Sequence, residues 1–184
     1  MSDLTFNPLT LENAAQDIKP TLEAVQNKFG FIPNLLGVLA INPEALKSYL
    51  GMADFLANSG LDLLEQQIVQ ITTSRENSCG YCIAAHSAIS KMSNLDERTI
   101  ADLRNGNTLS NPRHEALRLF TKRIVSAKGW VDPSDVKLFS NAGFTSSQSL
   151  AVILGVAMKT LSNYVNHMAK TSLDKNFEGF SWNR

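Results

Sequence analysis

Both cysteines of the chain, and one of its three histidines, fall in the run Cys79-Gly80-Tyr81-Cys82-Ile83-Ala84-Ala85-His86. Two thiols separated by two residues can close into a disulfide within one turn of backbone. Disulfide exchange needs an attacking thiolate, a second thiol to resolve the mixed product, and help with protons. Spacings of three and four residues place Cys79, Cys82 and His86 on one face of a helix. A helix beginning at Ser78 or Cys79 would favour negative charge there and lower a thiol pKa, and an imidazole within reach can accept the thiol proton. His86 is one turn from Cys82 and two from Cys79, so a direct hydrogen bond is easier to Cys82. Helix-start electrostatics favour Cys79 instead, and spacing leaves the attacking sulfur open. Gly80 leaves room near the sulfurs, and the Tyr81 hydroxyl can reach around from another side. The same three residues could also supply ligands to zinc, with a fourth from His114, His167 or a carboxylate. Structural zinc sites usually draw on two separated ligand pairs, however, and no second pair is visible.

The elements that must hold this run read as helix after helix. Short helices are expected over residues 20–29 and 33–39. Asn42-Pro43-Glu44 joins an N-cap, a proline at the first helical position and an acid in the first turn, and its helix should stop at Gly60. Leu63, Leu64, Ile68 and Ile71 repeat at helical spacing. The cysteine helix, capped by Ser78, should run to about Met92, and Asp96 to Asn105 forms the next. Asn111-Pro112 and Asp132-Pro133 start two more, and Thr145-Ser146-Ser147-Gln148 is a capping box opening a long last helix to about Lys170. Residues 173–184 look irregular and carry Phe177, Phe180 and Trp182, which should pack on this subunit or a neighbour. No stretch sustains the two-residue alternation of a strand. The expected fold is therefore all-α, a single domain over residues 1–184, with a weak internal echo between Leu64–His86 and Ser147–Ala169 in which Tyr81 matches Tyr164. His114 reads as a surface residue, His167 as a packing or helix-end residue, and Met52, Met92, Met158 and Met168 as core or interface filler.

At 184 residues, with 43% hydrophobic and 18% charged residues, the chain can bury a sizeable core. A formal net charge of zero argues against an electrostatic grip on nucleic acid or an anionic membrane. The start of the chain has no basic region followed by an apolar stretch, and the apolar run Leu150–Met158 is too short to span a bilayer. A lone pair of cysteines is not the pattern of a disulfide-stapled secreted domain. The expected compartment is the cytoplasm.

The stretch from Leu61-Asp62-Leu63-Leu64-Glu65-Gln66-Gln67 through Ser74-Arg75-Glu76-Asn77-Ser78 to the cysteine run resembles the AhpD-like alkylhydroperoxidases of the carboxymuconolactone decarboxylase superfamily. Gly30-Phe31-Ile32-Pro33-Asn34-Leu35, Asn42-Pro43-Glu44 and Asn163-Tyr164-Val165-Asn166-His167 are similar to its peroxidase-related branch. The resemblance implies the all-helical AhpD-like fold, centred on residues 61–93, in a homo-oligomer. It also implies antioxidant peroxidase activity on hydroperoxides, with Cys82 attacking as thiolate, Cys79 resolving to a disulfide, and His86 in the proton relay. Reducing power would come from a dihydrolipoyl protein or another thiol, a peroxiredoxin is an implied partner, and neither a metal nor a flavin cofactor is needed. The family relay usually includes a glutamate twelve residues before the first cysteine; here that position is Gln67, which can hold a hydrogen bond but cannot act as a general base. Glu65 lies about 200° away around a helix and does not substitute simply. Glu76 is a candidate replacement that also reads as an ordinary exposed carboxylate. Tyr81 stands where some members place a histidine. Two other classes stand beside this reading: a lactone decarboxylase, as in the namesake branch, and a non-enzymatic zinc-binding or redox-sensing module.

Overall fold

The computed structural model describes residues 4–183, so the first three residues and the last of the 173–184 tail lie outside it. Among the described residues there are α-helices and one 3-10 helix, and no strand. In order, the helices are α1 (Lys19–Phe29), α2 (Asn34–Leu39), α3 (Pro43–Ala57), α4 (Leu63–Glu76), α5 (Gly80–Met92), α6 (Glu97–Asn105), α7 (Pro112–Ser126), α8 (Pro133–Asn141) and α9 (Ser146–Ala169). A 3-10 helix (Lys175–Phe180) lies within the tail expected to be irregular. No described helix is long and apolar enough to cross a membrane.

Local chemistry explains most of the starts. The Asn42 side chain accepts from the N–H groups of Glu44 and Ala45, and Asn111 does the same for Arg113 and His114. Asp62, Asp132 and Thr145 each close a capping box, satisfying N–H groups that would otherwise lack partners. The cysteine helix differs from expectation. Its N-cap is Cys79 rather than Ser78, which is in the left-handed region at φ 58°. That turn lets Cys79 N–H donate to Ser74 C=O at 2.8 Å, and α5 folds back on α4.

The described residues form two apolar clusters. One gathers α1, α2, α5 and the tail around Leu22, Leu36 and Phe177; the other gathers α4, α6, α7 and α9 around Ile68, Leu117 and Met158. α4 packs on α5, α7 and α9 and is buried almost all round. Several of its polar side chains are satisfied locally: Thr73 and Ser74 hydroxyls donate to carbonyls one turn back, at 2.7 and 2.8 Å. α9 lies close against α4 because Gly155 has no side chain. A Cβ there would stand 2.7 Å from Val69 Cγ1. α9 runs unbroken where the Leu64–His86 segment turns, and Tyr164 is exposed while Tyr81 is buried.

The tail packs on its own chain. Phe177 is buried against Phe31 and Tyr81. Arg104 donates to the carbonyls of Phe180 and Ser181, and the Trp182 indole donates to Arg104 C=O at 3.0 Å. The space that Gly80 provides is taken by the tail rather than left beside the sulfurs: a Cβ at residue 80 would meet the Trp182 carbonyl oxygen at 2.8 Å.

Candidate active site

Cys79, Cys82, His86 and Gln67 meet in the interior where α4, α5 and α9 join. Both thiols are free, and each is 1% exposed. Cys79 caps α5, and Cys82 sits in its first turn. Asn166 on α9 spans the pair, its amide nitrogen 3.3 Å from Cys82 Sγ and 3.7 Å from Cys79 Sγ. The Ser162 hydroxyl is 3.8 Å from Cys82 Sγ.

The structure does not make the direct His86–Cys82 hydrogen bond that spacing favours. His86 Nδ1 lies 2.9 Å from Gln67 Oε1, and His86 Nε2 lies 2.9 Å from Lys159 Nζ. The amide oxygen can only accept, so Nδ1 carries the imidazole proton and Nε2 offers its lone pair to the ammonium. Lys159 therefore stands where the histidine was expected to act. It is 1% exposed, and it interacts electrostatically with the Cys82 sulfur.

Charge follows from this geometry. Burial alone would raise the Cys82 thiol, but the hydrogen bond from Cys79, the Lys159 charge, Ser162 and Asn163 outweigh it and hold Cys82 well below the ordinary thiol range. The Cys79 thiol is pushed up, first by donating to Cys82, then by burial. One sulfur of the pair is thus the thiolate and the other its hydrogen-bond donor. Burial and the neighbouring ammonium hold His86 neutral, well below the usual imidazole range. Burial disfavours the Lys159 charge, yet the Cys82 thiolate, with smaller contributions from Tyr49 and Cys79, holds its pKa above the usual value. A buried cation persists only with a compensating anion, and here that anion is a sulfur.

Cys82, His86 and Lys159 line a cavity of about 80 Å³ whose walls include Phe29, Leu36, Tyr49, Tyr81 and Phe177. A cavity of about 400 Å³, lined by Gln67, Gln70, Tyr49, Leu50 and Met158 among others, shares His86, Tyr49 and Phe29 with it. Cys79 lines neither. The Tyr81 hydroxyl donates to Asp174 at 2.5 Å and accepts from Leu35 N–H at 3.2 Å. Burial and that carboxylate keep the phenol protonated.

The remaining sequence candidates lie elsewhere. Glu65 closes its capping box and pairs with Arg113, and Glu76 acts on Arg118. His114 sits in the first turn of α7, and His167 is exposed beside Tyr164. Met158 is core, whereas Met92 and Met168 are exposed. Among the described residues, no three His, Cys, Asp or Glu side chains converge in an arrangement able to hold a metal ion. The residue that spacing did not single out is Lys159. Its signal was present: a cation closes the most apolar stretch of the chain, and Ser162, Asn163 and Asn166 follow it at three, four and seven residues, one face of a helix.

Residues 43–109, which carry Gln67, Cys79, Cys82 and His86 but not Lys159 or Asn166, match the carboxymuconolactone decarboxylase family. Among solved structures, the chain is similar to an uncharacterized peroxidase-related protein from Ralstonia eutropha JMP134, described as an alkylhydroperoxidase AhpD core. That likeness has 25% identity and a TM-score of 0.83, covering 96% of each chain. A peroxidase-related protein from Silicibacter sp. TM1040 shares the fold at 21% identity and a TM-score of 0.80, covering 97% of each chain. The debrominase Bmp8 shares it at 14% identity and a TM-score of 0.80, covering 96% of each chain. No match was found among curated proteins.

Proposed function

We propose, for a chain that carries a carboxymuconolactone decarboxylase family domain of the AhpD-like type, that it is a thiol-dependent peroxidase cycling Cys79 and Cys82 between dithiol and disulfide. The observation that carries this reading is the asymmetry of the pair. Cys82 faces the cavity with its charge supported by Lys159 and Asn166, while Cys79 is turned away from it and donates to Cys82. A thiolate facing a largely apolar cavity is an attacking sulfur, and a protonated thiol behind it is a resolving one.

The Cys82 thiolate attacks the terminal oxygen of a hydroperoxide, the S–O bond forms as O–O breaks, and sulfur becomes a sulfenic acid. Cys79 then attacks that sulfur. The S–S bond forms, and hydroxide leaves with the Cys79 proton as water. His86, neutral and fixed by Gln67, orients the Lys159 ammonium. The reductant must reach two sulfurs that are each 1% exposed. A dithiol on a slender arm, such as a dihydrolipoyl group, suits this better than the broad face of a folded redox protein.

The test is stoichiometric. One equivalent of an organic hydroperoxide should convert two free thiols to an intramolecular disulfide, and Cys82→Ser should abolish peroxide consumption. Undiminished turnover in that variant would overturn the reading.

A further inference from the structure

Lys159 poses a problem that the thiol chemistry itself creates. Its charge is stabilised by the Cys82 thiolate, and oxidation removes that thiolate. The polar groups facing it or the cavity it lines are Cys82, His86 and Tyr81 from α5, Cys79 from the preceding turn, Tyr49 from α3, and Ser162 and Asn166 from α9 itself. None is a carboxylate, and no salt bridge among the described residues includes Lys159. Once Cys82 is a sulfenic acid or a disulfide, a cation that is 1% exposed has no anion beside it. Such a group gives up its proton rather than remain charged.

The peroxide needs that proton. When the thiolate of Cys82 opens the O–O bond, the oxygen that departs is an alkoxide. His86 has none to give it, because its single ring proton is turned to the Gln67 amide oxygen, 2.9 Å away. The Tyr81 hydroxyl is committed to Asp174 at 2.5 Å. The Cys79 proton leaves in the following step, with hydroxide.

We infer that Lys159 is the general acid of this reaction and a redox-linked proton carrier. Its Nζ gives a proton to the departing alkoxide, stays a neutral amine while the disulfide stands, and regains the proton when the pair is reduced. The balance closes. Cys82 thiolate, Cys79 thiol, Lys159 ammonium and ROOH become a disulfide, a neutral amine, ROH and water. Two electrons and two protons from a dithiol then restore the starting state. This rests on the dithiol reading above.

Counting protons tests it without peroxide. The wild-type protein is equilibrated with a dithiothreitol redox buffer from about pH 6 to 8, where dithiothreitol takes up two protons per two electrons. The ultraviolet thiolate band of the reduced protein is followed in the same samples. If Lys159 loses its proton on oxidation, the protein also exchanges two, and the equilibrium constant is independent of pH while the thiolate band persists. If Lys159 stays charged, the protein exchanges one, and the constant changes tenfold per pH unit; that result overturns the inference and leaves the dithiol cycle standing. A missing thiolate band overturns it too, because the ion pair from which it starts is then absent. Failure to form any intramolecular disulfide overturns the dithiol reading itself.

A second measurement reads the acid directly. In Lys159→Met, the pH-corrected rate per thiolate should fall about 100-fold with an alkyl hydroperoxide, and much less with a peracid, whose carboxylate leaves without a proton. Equal losses with both oxidants would overturn the assignment. Tyr49→Phe should preserve the wild-type ratio between them; if it removes that ratio, Tyr49 is the acid instead.

Discussion

Replacing Lys159 with methionine separates two roles of a buried charge. The side chain is enclosed, and no carboxylate is paired with it, so its main electrostatic work is on the Cys82 sulfur. A unit pair in contact, about 4 Å apart at an effective dielectric of about 20, is in general worth roughly 4 kcal/mol. Each 1.4 kcal/mol is about tenfold in a protonation equilibrium, so the pair supports the thiolate by two to three orders of magnitude. Asn166 and Ser162 remain in the variant and recover part of this. The expected result is a thiolate band that titrates at clearly higher pH and an iodoacetamide alkylation rate at neutral pH at least tenfold lower. Global stability should change little. Methionine fills similar volume without a desolvation cost, and exchanging a buried ion pair for an apolar group is often neutral or stabilising, while His86 Nε2 loses its partner, at a cost of about 1–3 kcal/mol. The variant should unfold in urea close to the wild-type concentration. An unchanged thiolate titration would refute the reasoning, since the cation would then not be what holds Cys82 ionised.

Asn166→Ala removes the donor shared by both sulfurs; a hydrogen bond to a charged group is worth about 1.5–3 kcal/mol, so alkylation at neutral pH should slow roughly tenfold. Gly80→Ala sets a methyl against the Trp182 carbonyl and should loosen the tail, seen as faster reaction of both thiols with an aromatic disulfide reagent at little cost to helix content by circular dichroism. His86 stays neutral in the fold, whereas an ordinary imidazole titrates at 6.5. Below that pH the unfolded chain binds a proton the native state does not, so stability should fall as pH drops, by up to about 1.4 kcal/mol per unit. Denaturant titrations from pH 7 to 5 check this slope, which should flatten in His86→Gln. Gly155→Val drives a branched side chain into Val69 and should cost about 1–3 kcal/mol by the same method.

Spacing alone put Cys79, Cys82 and His86 together, because three residues within one helix and its cap are a local problem. Caps at Asn42, Asn111 and Thr145 were legible for the same reason: each is a side chain reaching two or three residues along its own backbone. What His86 touches was not legible. Its partners come from α4 and α9, and the helix register that aims it toward Cys82 says nothing about what packs against the other side. Lys159 lies 73 residues beyond His86 in the chain, and only the close approach of α9 to α4 at Gly155 brings it in. The choice between the two sulfurs followed suit. Helix-start electrostatics favoured Cys79, but the hydrogen bond from Cys79 and the Lys159 charge lower the Cys82 thiol instead, and together they outweigh the partial charge of a helix end. Gln67 cannot exchange a proton, and the structure gives it work that needs none: it accepts from Nδ1 and thereby fixes which histidine nitrogen meets the ammonium.

The order of residues along the chain has a consequence for synthesis. Cys79 and Cys82 leave the ribosome well before Lys159 and Asn166, which sit in the second half of α9. Until α9 docks at Gly155, the two sulfurs lack both their cation and their shared amide. A nascent or partly folded chain therefore carries ordinary thiols, and the supported thiolate comes into being only as the last long helix closes on the rest. Folding itself arms the sulfur pair, so a chain still being made keeps both sulfurs in their less reactive, protonated form.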